Sequence, residues 1–347
     1  MNTKVWKVDN FGDNLINNPQ IVDAAHFLQE NEVVALPTET VYGLGGNAES
    51  DTAVEKIFAA KGRPSDNPLI IHIANREQLL GFVREIPENA VMLMDKFWPG
   101  PLTIIFKKKE GILSDKATAG LDTVGVRMPD HPVALALLEK CGLPIAAPSA
   151  NSSGKPSPTH AEHVMEDLNG KIAGVLDGGP TGVGVESTVV DCTEGVPVIL
   201  RPGGVTKEQL ENVVGEVRID PALVDEASQP KSPGMKYKHY APNAPLFLVA
   251  GGMGFLQGLA DEKRREGLRV GVLTTEENAA KYDADIVVSC GRRSELETVA
   301  ADLYDTLRRF NSVGVDIIFS EMFPSDGVGH AIMNRLLKAA GNKVISE

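Results

Sequence analysis

Residues 37–48 read PTETVYGLGGNA and residues 61–73 read KGRPSDNPLIIHI, and the fold turns on these two stretches. The apolar run Val33 to Leu36 predicts a strand that opens into a turn carrying three glycines. The second stretch sets Lys61, Arg63, Asn67 and His72 around a Pro-bracketed loop and a short strand, Leu69 to Ile73. Strand ends followed by Gly-rich backbone are where α/β proteins bind anions. Neither stretch is a G-x-G-x-x-G fingerprint or a G-x-x-x-x-G-K-[ST] loop, so the general nucleotide motifs do not account for them.

Working outward, 347 residues suit about two domains. A chain 42% hydrophobic and 23% charged is ordinary for a globular protein. Its net charge of −13 works against a broad nucleic-acid surface, so no strong direct nucleic-acid binding is expected. Cys141, Cys192 and Cys290 lie far apart without a C-x-x-C pair, which predicts buried structural thiols in a reducing compartment. The start, MNTKVWKVDN, lacks the layout of a signal peptide, and no apolar run reaches the roughly 18 residues that span a bilayer. The expectation is a cytoplasmic protein with no membrane partner.

Along the chain, Asn18-Pro19 predicts a helix start, and Asp51 a helix cap with Val54, Ile57 and Phe58 facing inward and Gly62 as the stop. Helices are expected over Asn75–Val83, Glu88–Phe97, Pro132–Cys141, Thr159–Leu168 and from Thr206 to Val214. Strands are expected over Leu102–Phe106, Thr123–Met128, Pro144–Ala147, Ile172–Leu176, Val185–Asp191 and Pro197–Leu200. This alternation lacks strict βαβ regularity and predicts a mixed, twisted sheet. After residue 245 short apolar runs alternate regularly with helical ones, which predicts a small parallel α/β domain. The divisions are 1–218, a linker over 219–244, and 245–347.

Cations and hydroxyls gather at strand ends. Arg127 and Arg201 each follow an apolar strand, where an unpaired guanidinium is too costly to keep. They suit a carboxylate or phosphate ligand, or else an internal ion pair. Thr38, Thr40, Thr123, Ser149, Ser152, Ser153, Ser157, Ser187 and Thr188 fall at strand ends or just after them. Turn formation explains any one of these; the set points to a small polar substrate. Ser149 has no nucleophile elbow. His160 and His163 could share a helix face, and a solvated face outweighs a metal site. GGMGFLQG (251–258) puts Gln257 where a dinucleotide turn needs its third glycine. The linker's SPGMKYKHYAP (232–242) mixes aromatic rings and cations, as a cover over a nucleotide would, or a segment packed on a domain surface.

Taken with FWPGPLTIIF (97–106), TVGVRMPDHP (123–132), PSANSSGKPSPT (148–159), ESTVVD (186–191) and ILRPGG (199–204), these stretches resemble the threonylcarbamoyl-AMP synthases. The resemblance is to the long form, and it implies a YrdC-like twisted mixed sheet with helices followed by a small Rossmann-like domain. It implies synthesis of L-threonylcarbamoyladenylate from L-threonine, bicarbonate and ATP, with Mg²⁺ accompanying the ATP. Downstream tRNA threonylcarbamoyl-transfer proteins would be the partners. Carried over by position, the threonine pocket falls on Thr40, His72, Arg127, Ala147 and Ser187. The ATP contacts fall on Arg63, Asn67, Thr123, Ser149, Ser157, Arg201 and the linker's Tyr237, with Lys61 added as a neighbouring cation.

The chemistry is consistent with the residue types. Two anions must meet, so cations are needed, whereas no covalent nucleophile is. A carbamoyl transferase of the hydrogenase-maturation type would carry zinc-finger cysteines, which this chain lacks. A non-catalytic RNA-binding module is disfavoured by the acidic total.

Overall fold

In a computed structural model, the described residues are 2–9, 12, 14–223 and 239–347. They form two compact units: Met1–Ser153 with Pro158–Gly182 and Glu186–Lys236, and Gly154–Ser157 with Val183–Val185 and Tyr237–Glu347. Lys236, Tyr237 and Lys238, to which the linker reading attached, lie outside the described residues.

Among the described residues the first unit has eleven strands: β1 Lys4–Lys7, β2 Val34–Leu36, β3 Gly43–Asn47, β4 Ile70–His72, β5 Leu102–Lys107, β6 Thr123–Arg127, β7 Ile145–Ala146, β8 Gly174–Asp177, β9 Thr188–Asp191, β10 Val198–Arg201 and β11 Arg218–Ile219. They hydrogen-bond in the order β1-β8-β2-β3-β7-β4-β6-β5-β9-β10-β11. The sheet contains both parallel pairs, such as β4 with β6, and antiparallel ones, such as β3 with β7, so it is mixed, as the pattern predicted. Strand residues alternate between faces. Val33 and Ala35 enter one apolar cluster with helices α2 (Asp51–Lys61), α4 (Glu88–Phe97), α6 (Ala161–Leu168) and α7 (Lys207–Val214). Val34 and Leu36 enter another with α1 (Pro19–Gln29) and α5 (Pro132–Cys141). A sheet buried on both faces needs apolar residues at both parities, and β2 supplies them.

The Gly-rich stretch corrects the sequence reading. Residues 43–47 are a strand, antiparallel to β2, and the turn lies before it, over residues 37–41. A side chain at Gly45 would put its Cβ 2.8 Å from Leu36 and 3.0 Å from Ile145, and one at Gly46 would come within 3.0 Å of Ile57. These glycines permit close packing; they do not make a turn. The cap of α2 is also corrected. Ser50 accepts from the Ala53 N–H at 3.3 Å, while Asp51 is held by the Ser114 hydroxyl. Asn75–Val83 divides into a 3-10 turn (Arg76–Gln78), capped by the Asn75 side chain, and α3 (Leu79–Phe82). His160 precedes α6, and His163 is buried, so the solvated helix face expected for the pair does not form.

The second unit carries β12 Leu246–Ala250, β13 Val270–Thr274, β14 Ile286–Ser289, β15 Ile317–Glu321 and β16 Val344–Ser346, in the order β14-β13-β15-β12-β16. Every pairing is parallel, as the regular alternation predicted. Helices α8 (Met253–Arg265), α10 (Leu296–Val313) and α11 (Gly329–Ala340) connect the strands, with a single-turn α9 (Glu276–Ala279) that was not foreseen. The described end of the linker packs on this unit: Tyr240 is buried and stacks on Tyr304, centroids 5.2 Å apart. All three cysteines are buried, and burial pushes Cys141 up to about 11 and Cys192 and Cys290 to about 12, so they stay as inert thiols at neutral pH. Among the described residues no helix is long and apolar enough to cross a membrane.

Candidate active site

The sheet of the first unit brings the polar residues together. His72 and Arg127 face one another in register where β4 and β6 end. Arg127 is spread over three partners. Its Nη1 donates to Thr40 Oγ1 at 2.8 Å, its Nε to the Gly100 carbonyl at 3.2 Å, and its Nη2 lies 2.6 Å from Glu39 Oε1. The last contact is a charge pair without hydrogen-bond alignment, since Glu39 Oε1, Glu39 Oε2 and Arg127 Nη2 all lack a hydrogen-bond partner. Both readings offered for Arg127, ligand binding and an internal ion pair, therefore stay compatible with its position.

Thr38 builds the turn that presents Glu39 and Thr40. Its Oγ1 donates to the Val41 carbonyl at 2.6 Å, accepts from the N–H groups of Thr40 and Val41, and meets the Thr40 hydroxyl at 2.9 Å. Such a hydroxyl-stitched turn fixes side-chain direction without glycine. Burial, and next the Arg127 charge, hold His72 down to about 3, so its ring is neutral at physiological pH. With Nδ1 donating to the Ile70 carbonyl at 3.3 Å, Nε2 is left as an acceptor.

Strand β5 lies between β6 and β9 and extends this cluster. Thr103 Oγ1 is 2.8 Å from Ser187 Oγ, which also accepts from Arg201 Nη2 at 3.1 Å. Arg201 further donates from Nε and Nη2 to the Ser187 carbonyl at 3.1 and 2.9 Å. Gly203 seals this corner: a Cβ there would lie 2.3 Å from both the Glu186 carbonyl oxygen and the Thr188 nitrogen. Backbone cannot yield as a side chain would. Gly203→Ala is therefore expected to cost about 1–3 kcal/mol of stability, and an unchanged melting temperature would contradict that.

On the other side, Ala147 donates its N–H to the Ile70 carbonyl at 2.9 Å, and Ser149 bridges to Gly43. Lys61, at the end of α2, reaches under this loop and donates to the carbonyls of Ser149 and of Asn151, the latter at 2.8 Å. Burial, and then the neighbouring Arg63 charge, bring Lys61 down to about 7, against the opposing pull of Asp167 and Glu186. Gly62 takes the left-handed conformation (φ 63°) and turns the chain from α2 into Arg63. Asn67 is fully buried, and its Oδ1 has no hydrogen-bond partner. Thr123 sits at the far end of β6, about 13 Å from Arg127 by strand rise. There it lines a small cavity with Pro68, Leu69, Ile105, Leu121 and Val189.

Thr40, His72, Arg127 and Ala147 thus converge, Ser187 joins through Thr103 and Arg201, and Lys61 joins Ser149. Ser157 is fully buried and belongs to the second unit, and Tyr237 lies outside the described residues. The sequence reading missed Glu39 and Thr103. Glu39 was visible as the acid between two threonines in PTET, but only the folded turn shows that it meets Arg127.

A mixed α/β sheet whose strand ends collect buried cations, hydroxyls and a neutral imidazole defines an enzyme site for a small anionic substrate. Residues 26–203 match the Sua5–YciO–YrdC family model, described as telomere recombination, and residues 205–341 match that of the threonylcarbamoyl-AMP synthase C-terminal domain. The threonylcarbamoyl-AMP synthase of Bacillus subtilis is 61% identical, with 99% of this chain and 100% of that protein covered. That of Pyrococcus abyssi is 51% identical, covering 93% of this chain and 94% of that one. The crystal structure of Pyrococcus abyssi Sua5 complexed with L-threonine superposes with a TM-score of 0.92 at 48% identity, covering 100% of both chains. The chain belongs to the threonylcarbamoyl-AMP synthase family, and it is an enzyme of the nucleotidyltransferase type.

Proposed function

We propose that this enzyme forms L-threonylcarbamoyladenylate and pyrophosphate from L-threonine, bicarbonate and ATP, for modification of the adenosine beside the anticodon of tRNA. The observation that carries the reading is the cluster of Arg127, Thr40 and neutral His72 at adjoining strand ends, in a fold shared with a relative solved with L-threonine. In this reading Arg127 takes the amino-acid carboxylate, since a guanidinium fork matches it. Thr40, His72, Ala147 and Ser187 complete that pocket. Lys61, Arg63, Asn67, Thr123, Ser149, Ser157, Arg201 and Tyr237 serve ATP.

Two bond-forming steps follow. The bound α-ammonium loses a proton to solvent, the neutral amine attacks the carbon of bicarbonate, water leaves, and a carbamate remains; positioning supplies much of that barrier. A carbamate oxygen then attacks the α-phosphorus, and the bond to pyrophosphate breaks. Lys61 and Arg63 are suited to hold the phosphates against the incoming anion. Mg²⁺ would be carried mainly by phosphate oxygens, as it keeps its waters and takes only one or two carboxylates from a protein. The product would pass to separate transfer proteins in the cytoplasm.

Purified protein is expected to release pyrophosphate from ATP only when L-threonine and bicarbonate are both present. Equal release with L-serine, or none until tRNA is added, would overturn the proposal.

A further inference from the structure

We infer that Glu39 is the residue that recognises the α-ammonium group of the amino-acid substrate. The inference rests on the threonine pocket proposed above and adds to it a residue that was absent from the predicted pocket. Glu39 is an acid in the turn between Thr38 and Thr40, and its side chain is only 12% exposed. Its backbone is fixed on both sides: its carbonyl accepts from the Gly182 N–H at 3.1 Å, and Thr38 stitches the turn around it. Both carboxylate oxygens are buried, yet neither accepts a hydrogen bond. An ionised carboxylate offers about four acceptor positions. A buried carboxylate whose acceptor positions meet only the Arg127 charge, without an aligned hydrogen bond, is suited to take a further donor.

The donor must be small, because the site is buried, and it must carry hydrogens that Arg127 cannot align. A zwitterionic amino acid fits both demands. Its carboxylate accepts from the Arg127 fork, and its ammonium, which is donor-only, lies next to that carboxylate. Glu39 lies 2.6 Å from Arg127, so the charge pair forms the complement of the zwitterion, end to end. His72 contributes no competing charge, being neutral. Glu39 thereby makes the site selective for an amino acid over the corresponding hydroxy acid, which has the same carboxylate and no ammonium. A buried acceptor left unpaired by the wrong ligand is a strong basis for rejection.

The test measures binding of L-threonine and of its 2-hydroxy analogue by calorimetry and competition, with Glu39→Gln and Glu39→Asp beside the native protein. Glu39→Gln is expected to lose about tenfold or more in threonine affinity while hydroxy-acid affinity stays as it was, so that the preference collapses. Glu39→Asp keeps the charge and is expected to retain the preference with weaker binding; it decides the matter if the Gln variant does not fold. Equal losses for both ligands would mean that Glu39 only holds Arg127 in place, and unchanged threonine binding would remove any role. Either result overturns this inference alone. Native protein that binds no L-threonine overturns the pocket assignment as well.

Discussion

Arg127→Ala is expected to abolish threonine-dependent pyrophosphate release and to lower stability at the same time, two effects that a second substitution separates. Truncating one member of a buried, charge-paired contact to a ligand costs about 2–5 kcal/mol, or about 30- to 5,000-fold in threonine affinity. The stability loss has another origin. Arg127 is 5% exposed and Glu39 12%, so removing the guanidinium strands a buried carboxylate, worth about 3–5 kcal/mol. Glu39→Ala added to Arg127→Ala should recover much of the melting temperature and none of the activity. Arg127→Lys keeps a charge for Glu39 but loses the fork, so it should fold and still bind threonine poorly. Native threonine affinity in the Lys variant, or activity regained in the double variant, would rule out carboxylate binding by Arg127.

How far the sequence anticipated this depends on the range of the interaction. Helix and strand positions were legible wherever local rules dominate: Pro19 at a helix start, Thr206 as a helix cap, and Trp98-Pro99-Gly100-Pro101 as a helix stop. The parallel second sheet followed from simple alternation. GLGGN was misread because glycine marks both turns and close strand packing, and only Leu36, Ile57 and Ile145 in place distinguish the two. At the site, the residue types were readable but the pairings were not. Arg127 and Glu39 are distant in sequence and meet only through the order of eleven strands. Thr103 lay inside an apolar run, LTIIF, and gave no polar signal until β5 was set between β6 and β9. Spacing alone put His163 on a solvated helix face, yet it is buried in the fold.

Lys61 should give the site its pH dependence. Burial and Arg63 hold its ammonium down to about 7, so near neutrality a large share of the free enzyme carries it uncharged. Triphosphate oxygens beside it favour the charged form and raise its pKa in the complex. ATP binding above that pH must therefore take up a proton. By linkage, ATP affinity should be level below about pH 7 and fall by up to about tenfold per pH unit above it, until the pKa of the complex is reached. Calorimetry in buffers of different ionisation heat reads that proton directly. Lys61→Arg keeps the charge at every accessible pH and should flatten the profile. Lys61→Met removes the charge and leaves the Ser149 and Asn151 carbonyls without their donor, so the loop of residues 148–153 loses its staple to α2. Pyrophosphate release should then drop by about 10²–10³-fold, the usual loss when one donor to a developing anion is deleted. A Met variant with native turnover, or a native protein that binds ATP without proton uptake at pH about 8, would place the phosphates away from Lys61.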